Sequence, residues 1–357
     1  MPTLGGDLLR QITAALFRAT GAPEDLAAQV AEVLIDNHLA GHDSHGILRI
    51  PEYVRSVRAG EIIPASRPRV LEESATHALV SGNWAFGQVT GNFAADLAAD
   101  KAKKEKVAVL SVVQAGHTGR LAAFTERAAR RGVVMFMAIG TVNKPTTAPY
   151  GGAAPVLGTN PIAFSIPNPA GPPVTLDIAT SAIAAGKIKA AKARHAKLPP
   201  DALLDKEGRP TVDPQAFFEG GFLLPFGGHK GYALAVIAEL LSGPLAGADA
   251  YPGVVSRSGI FVFAMDAAVF RPAADYEAAL SRTLGRIKAV PPRPGFVEVL
   301  IPGEPEARSR AKREREGIEI PEDTWRAVCE TGIELGVDVE AMAKAAGEGR
   351  PEKENRT

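Results

Sequence analysis

Two uninterrupted apolar segments constrain this chain most: VAVLSVV (107–113) and VVMFMAIG (133–140), with a helical stretch, Leu121 to Arg131, between them. Strands that read as continuous apolar runs are buried on both faces, so the sheet they belong to is sandwiched by helices. The pattern extends on either side. Residues 7–20 and 24–40 have helical periodicity broken at Gly21-Ala22-Pro23, residues 69–81 read as two short strands, and Gly87 to Lys104 is an alanine-rich helix. FSIP and VTLDIA are strands within the proline- and glycine-rich stretch 141–185. YALAVIAELLSGPL is an apolar helix, GIFVFAMD (259–266) is another strand, and FVEVLIPG (296–303) ends the sheet region. The charged helix Arg308 to Gly317 reads as a solvated face rather than a nucleic-acid patch, and residues 346–357 as a disordered tail. With 46% hydrophobic content in 357 residues, the chain buries a large core and divides into more than one lobe.

Charge and cysteine content exclude several function classes. Forty basic residues balance forty acidic ones, so no global field draws the chain to nucleic acid or membrane. The single cysteine, Cys329, excludes an internal disulfide and any cysteine-built metal or iron–sulfur site, and it fits a reducing compartment. The opening MPTLGGDLLRQITAALF reads as a helix rather than a signal peptide. No segment approaches the roughly 20 apolar residues of a membrane span. The expectation is a soluble cytoplasmic protein. Aromatics, at 6%, are too sparse for base-stacking platforms.

Chemistry concentrates in a few clusters. In GHDSHGILRIPEYVRSVRAGEI (41–62), a helix capped by Asp43 or Ser44 would put His45 and Arg49 four apart on one face. There the imidazole trades a proton near neutral pH while the guanidinium grips a carboxylate; the alternative is a surface pair or a packed core histidine. SVVQAGHTGRLAAF places His117 and Arg120 on the loop after the 107–113 strand, where α/β proteins aim residues at a ligand crevice; the alternative is a turn histidine bonded to backbone. Thr159 and Asn160 either hydrogen-bond a substrate or complete a turn before Pro161. Asp177 lies at a strand end, and Thr180 and Ser181 are placed to cap the helix carrying Lys187, a terminus suited to phosphate or carboxylate. FGGHKGY (226–232) sets His229 and Lys230 in a glycine-framed turn, a phosphate cradle or a plain turn with an exposed lysine.

His38, His42 and His45 have the spacing of one helix face, a metal-site reading that implies a hydrolase or lyase, but Gly41 and the Asp43-Ser44 cap signal interrupt that helix. Standard nucleotide fingerprints are missing. Gly82, Gly87 and Gly91 have the wrong spacing for G-x-G-x-x-G, and there is no P-loop.

GHDSHGILRIPEYV, GHTGR, APYGG with LGTNP, LDIATSAIAAGKI, DKEGRPTVDP, LPFGGHKGY and IPGEPEARSR, taken in that order, resemble the type-2 malate/L-lactate dehydrogenase family. That family includes sulfolactate, ureidoglycolate and 2,3-diketogulonate oxidoreductases and reductases of cyclic imino acids such as piperideine-2-carboxylate. The resemblance runs from about Leu8 to about Gly336. It implies an NAD(P)-dependent oxidoreductase with a non-Rossmann cofactor fold, an α/β mixed sheet between helices plus a helical domain from both termini, and a homodimer. The implied domains are 1–58 with 304–345 (helical, dimerisation and part of the active site) and 59–303 (cofactor and substrate). Residue by residue, it implies His45 as proton donor or acceptor with Ser44 beside it, Arg49 as the substrate-carboxylate contact, and His117 as an alternative base. Thr159 and Asn160 match the element beside substrate and nicotinamide. Asp177, Ile178, Ala179, Thr180, Ser181, His229, Lys230, Gly303 and Glu304 match cofactor-binding segments. Residues 189–204 are a region in which members of the family differ, and His195 within it matches nothing. A non-catalytic, metabolite-sensing relative is disfavoured because Ser44, His45, Arg49, His117, Thr159, Asn160 and Lys230 are all present.

Overall fold

The computed structural model describes residues 1–140, 145–193, 195–248 and 259–348, which divide into two compact units: 67–304, and the two ends of the chain, 1–66 with 305 onward. The chain opens with β1 (Thr3–Leu4), α1 (Gly6–Ala19), α2 (Glu24–Leu39) and α3 (Ile50–Arg58). The larger unit follows: β2 (Arg69–Glu73), β3 (His77–Ser81), α4 (Gly87–Glu105), β4 (Val107–Val113), α5 (Ala122–Ala129), β5 (Val133–Gly140), β6 (Ile162–Ile166) and β7 (Val174–Ile178). It continues with α6 (Ala185–Ala193), β8 (Leu203–Leu204), β9 (Pro210–Thr211), α7 (Gln215–Phe218), β10 (Phe222–Leu223), α8 (His229–Ser242), β11 (Gly259–Asp266) and α9 (Ala273–Lys288). The chain then returns to the terminal unit with α10 (Glu304–Glu316), β12 (Ile318–Glu319), α11 (Glu322–Leu335) and α12 (Val339–Glu348).

The larger unit is built on a seven-stranded sheet of order β2-β3-β4-β11-β5-β6-β7, parallel at β3–β4 and antiparallel elsewhere. Successive strand residues face opposite sides. On one side Ser165 of β6 bonds Thr125 of α5 (2.8 Å), and on the other Ala138 and Ile162 pack on Ala238 of α8. The sheet is therefore mixed and lies between helices. No helix among the described residues is long and apolar enough to cross a membrane.

Three expectations change. The 107–113 strand is not buried throughout, because the α8 side of the sheet is only partly covered. Val109, Phe263, Phe136, Phe164 and Leu176 pair in register across the strands, forming one apolar row on that side. Its ends are open, Val109 at 38% and Leu176 at 41% exposure, and the outer residues Ile237 and Leu240 of α8 are half exposed. The segment 296–303 is not a strand. It runs irregularly after α9, a helix that sequence patterning does not single out and none of whose residues is buried. The tail expected over 346–357 lies outside the described residues from 349, and 346–348 still belong to α12.

In the terminal unit, α1 buries Leu9, Ile12, Thr13, Leu16 and Phe17, the stripe of an amphipathic helix, and α2 packs against it as a hairpin. β1 pairs antiparallel with β12, so the first residues of the chain are tied to a segment past 317.

The glycines that do not make a nucleotide fingerprint are contact points. A Cβ on Gly87 would sit 2.2 Å from the His117 carbonyl oxygen, and one on Gly91 would sit 2.5 Å from the Phe124 ring. Helix α4 reaches its neighbours only because these side chains are missing. Gly91→Ala should lower stability by about 1–3 kcal/mol through overpacking, read as a drop in the urea midpoint at unchanged slope.

Candidate active site

His45 lies in a single turn of 3-10 helix, Asp43–His45, and Arg49 ends a second one, Ile47–Arg49. Gly46 separates them in a non-helical conformation (φ −95°, ψ −144°), and α3 starts only at Ile50, with Pro51 in its first turn. The expected continuous helix with His45 and Arg49 on one face is thus replaced by a broken one. The reason is close packing: a Cβ on Gly46 would meet the His38 ring at 2.7 Å, so the backbone folds in against that imidazole. The two residues are joined by other means. Arg49 Nε donates to the Ser44 carbonyl (2.8 Å), and Ser44 Oγ and His45 Nδ1 share a hydrogen bond of 3.0 Å. Arg49 Nη1 donates to Glu52 at 2.6 Å. Buried Asn37 donates from Nδ2 to the His45 carbonyl at 3.2 Å.

His38 is buried beneath this turn, with Nε2 3.4 Å from Asp43 Oδ1. Burial lowers its pKa to about 4; Asp43 opposes that and Arg313 adds to it. His42 lies 3.5 Å from Glu306. The three histidines are each committed to a different neighbour, and among the described residues no group of three or more His, Cys, Asp or Glu could hold a metal.

In the larger unit, His117 is an exposed residue on the loop after β4. That loop is held by Gly87 and by Gln88, whose Nε2 donates to the Thr118 carbonyl at 3.1 Å. Arg120 turns inward and is buried against Glu126 (2.5 Å), with Nε 4.0 Å from Asp177. Asp177 also accepts from the Ala122 backbone N–H at 2.7 Å, so it pins the start of α5.

Thr180 and Ser181 do not cap α6, contrary to expectation. Thr180 Oγ1 donates to the Thr159 carbonyl (2.9 Å) and Ser181 Oγ to the Ile183 carbonyl (3.1 Å), because the chain turns once more before α6 begins at Ala185. The same Thr159 carbonyl also accepts from the Thr180 N–H, stitching the GTNP turn to the end of β7. Ile178 packs beside Ile162 and Ala138, and Ala179 follows it out of the strand. Asn160 is buried with φ +36°. Its Nδ2 donates to Glu239 Oε2 at 2.5 Å, and its Oδ1 is a buried acceptor with no hydrogen bond, the kind of group that marks a binding position.

His229 and Lys230 are the first, exposed residues of α8 rather than part of the turn before it. Gly227 (φ 56°) and Gly228 (φ 62°) bring the chain into that helix in a left-handed conformation open to L side chains only at a cost. Gly303 (φ 96°) backs onto the Pro173 carbonyl, and Glu304 pairs with Lys288 at 2.8 Å.

A family profile described as malate/L-lactate dehydrogenase matches residues 6–329. The chain belongs to this family. Among similar curated proteins, malate/(S)-sulfolactate dehydrogenase of Methanothermus fervidus is 33% identical over 92% of this chain and 97% of its own length. Delta(1)-pyrroline-2-carboxylate/Delta(1)-piperideine-2-carboxylate reductase of Pseudomonas putida is 36% identical over 67% of this chain and 70% of its own. The solved structure of a putative malate/lactate dehydrogenase from E. coli superposes with a TM-score of 0.90 at 32% identity, covering 98% of this chain and 99% of that one.

This member of the malate/L-lactate dehydrogenase family is an oxidoreductase. The hydrolase or lyase reading of His38, His42 and His45 has no support in these relatives. Sequence patterning misses the partners that fix the site. Asn37 is hidden in an apolar run, and Glu239 is hidden in the apolar α8. The charge of α10 predicts a solvated face, but one stripe of it grips the end of α2 and the His45 turn.

The buried neutral His38 gives a pH signature with a defined sign. Above pH 6.5 both folded and unfolded states hold it neutral. Below that the unfolded chain binds a proton that the folded one refuses until about pH 4, so stability falls with acidification. The loss between pH 6.5 and 4 should reach on the order of 3 kcal/mol. Urea titrations should show this slope reduced by about that amount in His38→Gln.

Proposed function

We propose that this protein interconverts a small 2-keto acid, or a cyclic imino acid, with its 2-hydroxy or amino acid, using NADH or NADPH. The observation that carries the reading is the linkage of Arg49 Nε to the Ser44 carbonyl and of Ser44 Oγ to His45 Nδ1, which makes a carboxylate grip and a proton source one rigid unit. Arg49 holds the substrate carboxylate through Nη2, since Ser44 and Glu52 engage its other nitrogens. His45 gives its proton to the carbonyl oxygen or imine nitrogen as that atom becomes basic, and takes it back in the oxidative direction. Ser44 fixes which way the ring faces. His117 is the second choice for this role.

The residues of the larger unit fit a dinucleotide. The start of α8 offers the positive end of a helix dipole, a glycine-framed approach and the Lys230 charge, which together suit a pyrophosphate. Thr159 and Asn160, with Asp177 to Ser181, supply a stitched backbone edge and one unsatisfied buried acceptor for an amide-bearing ring. Gly303 and Glu304 complete the set. When bound, reduced nicotinamide supplies a hydride to the substrate carbon.

The named substrates of the relatives, malate and sulfolactate on one side and cyclic imino acids on the other, share a carboxylate next to the reacting carbon. That is the chemistry Arg49 reads. The apolar row of the sheet, open at Val109 and Leu176, and the outer side of α8 support a homodimer, since exposed apolar patches of this kind mark protein contacts. The lone cysteine supports a reducing compartment such as the cytoplasm.

Absorbance of NADH and NADPH should decay with at least one member of a panel of 2-keto and cyclic imino acids. His45→Ala should lose about 10²–10⁴-fold in turnover while still binding the nucleotide by fluorescence, and near-normal turnover would remove His45 from the role. Light scattering at micromolar concentration should give about twice the chain mass of 37.4 kDa. Ile237→Glu should shift that mass toward the monomer, whereas a wild-type monomer would overturn the dimer reading.

A further inference from the structure

A three-residue turn of 3-10 helix is a weak platform for an acid/base. It has two backbone hydrogen bonds of its own, His45 N–H to the His42 carbonyl (2.9 Å) and Gly46 N–H to the Asp43 carbonyl (3.1 Å), and such turns are seldom stable alone. Asn37 holds its far end by the His45 carbonyl. Its near end, Asp43, is held from helix α10. Arg313 Nη1 donates to Asp43 Oδ1 at 2.5 Å and to the His38 carbonyl, and Nη2 lies 3.4 Å from Asp43 Oδ2.

Arg313 is the last of a stripe at helical spacing along α10. Glu306 faces His42, Ser309 Oγ donates to the Leu39 carbonyl (2.9 Å), and Arg310 forks onto Asp36. Ser309 also approaches Gly41, whose φ of +87° turns the chain from α2 toward the histidine. Ser309 and Arg310 hold the end of α2; within the stripe it is Arg313 that reaches the carboxylate beginning the His45 turn.

We propose that Arg313 is a positioning residue for His45, acting through Asp43, so that a helix near the C-terminus sets the orientation of the proton-transferring imidazole. The proposal rests on the reading of His45 as the acid/base. A guanidinium is suited to the task because its planar fork fixes a carboxylate in direction as well as distance, which an ammonium cannot do. The groups around the device are neutral His38 below, Asp43 and His42 on the turn side, and Glu306 and Arg310 on α10.

Histidine-labelled NMR of the ligand-free protein tests this directly, with the His45 signal assigned by its loss in His45→Gln. In Arg313→Ala the His45 resonance should move and its titration midpoint should shift by about half a pH unit or more. The signals of His77 and His229, in the other unit, should stay in place. Arg313→Lys, which keeps the charge, should give a smaller displacement of the same sign and serves if Arg313→Ala does not fold. Arg310→Ala, which releases α2 and not Asp43, should lower the melting temperature with the His45 signal unmoved. The proposal is overturned if His45 keeps its shift and titration in the Arg313 variants, or if Arg310→Ala displaces it equally. Turnover of His45→Ala is scored separately: full activity there ends the acid/base reading, whatever the NMR shows.

Discussion

The larger unit depends on one strand arriving late. β4 and β5 are neighbours in sequence but not in the sheet, because β11 lies between them, antiparallel to both over nearly its whole length. Without it the sheet is two pieces, β2-β3-β4 and β5-β6-β7. Its side chains Ile260, Val262 and Ala264 are fully buried, so its insertion both completes the hydrogen bonding and closes the core. The His117 loop follows β4, while the GTNP turn and the end of β7 belong to the β5-β6-β7 piece that β11 joins to it. A pairing across so much chain closes slowly and only when both flanking pieces exist, which makes the arrangement of these loops a product of the complete unit and not of any local motif.

Close approach of backbone to its neighbours shapes the rest. Gly46 against His38, Gly87 against the His117 carbonyl and Gly303 against the Pro173 carbonyl each bring a candidate site segment to a distance that a Cβ would forbid. Glycine abundance in this chain therefore reports dense packing beside the site as much as turns. Around these contacts several polar side chains are engaged. Arg120 is sunk against Glu126, Asn160 against Glu239, and Asp177 against the start of α5. Buried polar and charged groups of this kind are expensive to leave unpaired, so these pairings favour one arrangement of the loops.

Much of this is legible in the sequence. The apolar runs 107–113, 133–140 and 259–266 announce strands by composition alone, and the helical hairpin of α1 and α2 follows from periodicity and the Gly21-Ala22-Pro23 break. The ordered motifs from GHDSHG to IPGEP carry the family, which the profile match over residues 6–329 supports. What fails to show are features decided by three-dimensional contacts and not by local pattern. A cap signal at Asp43-Ser44 predicts a helix, but the His38 ring draws Gly46 inward and breaks it. Helix α9 gives little signal because it lies on the surface: none of its residues is buried, and Tyr276 is tied by its hydroxyl to the Pro167 carbonyl (2.7 Å). The placement of β11 inside the sheet cannot be read from its apolar pattern, which is the same for any central strand.

The charged helix α10 shows most clearly how composition and role can part. A run of Glu, Arg and Lys on a helix is ordinarily solvated, and Lys312, Glu314 and Arg315 do face water. The stripe Glu306, Ser309, Arg310 and Arg313 turns the other way, and each of its members meets a group near the end of α2. Surface ion pairs contribute little to stability, so the value of the Arg313–Asp43 contact lies in direction more than in energy. A fork on Asp43 fixes the first residue of a turn whose third residue is His45. The neutral, buried His38 makes this workable: a protonated imidazole there would compete with Arg313 for the same carboxylate. Burial keeps that ring uncharged down to about pH 4, so Asp43 answers to the guanidinium throughout the range in which an imidazole transfers protons.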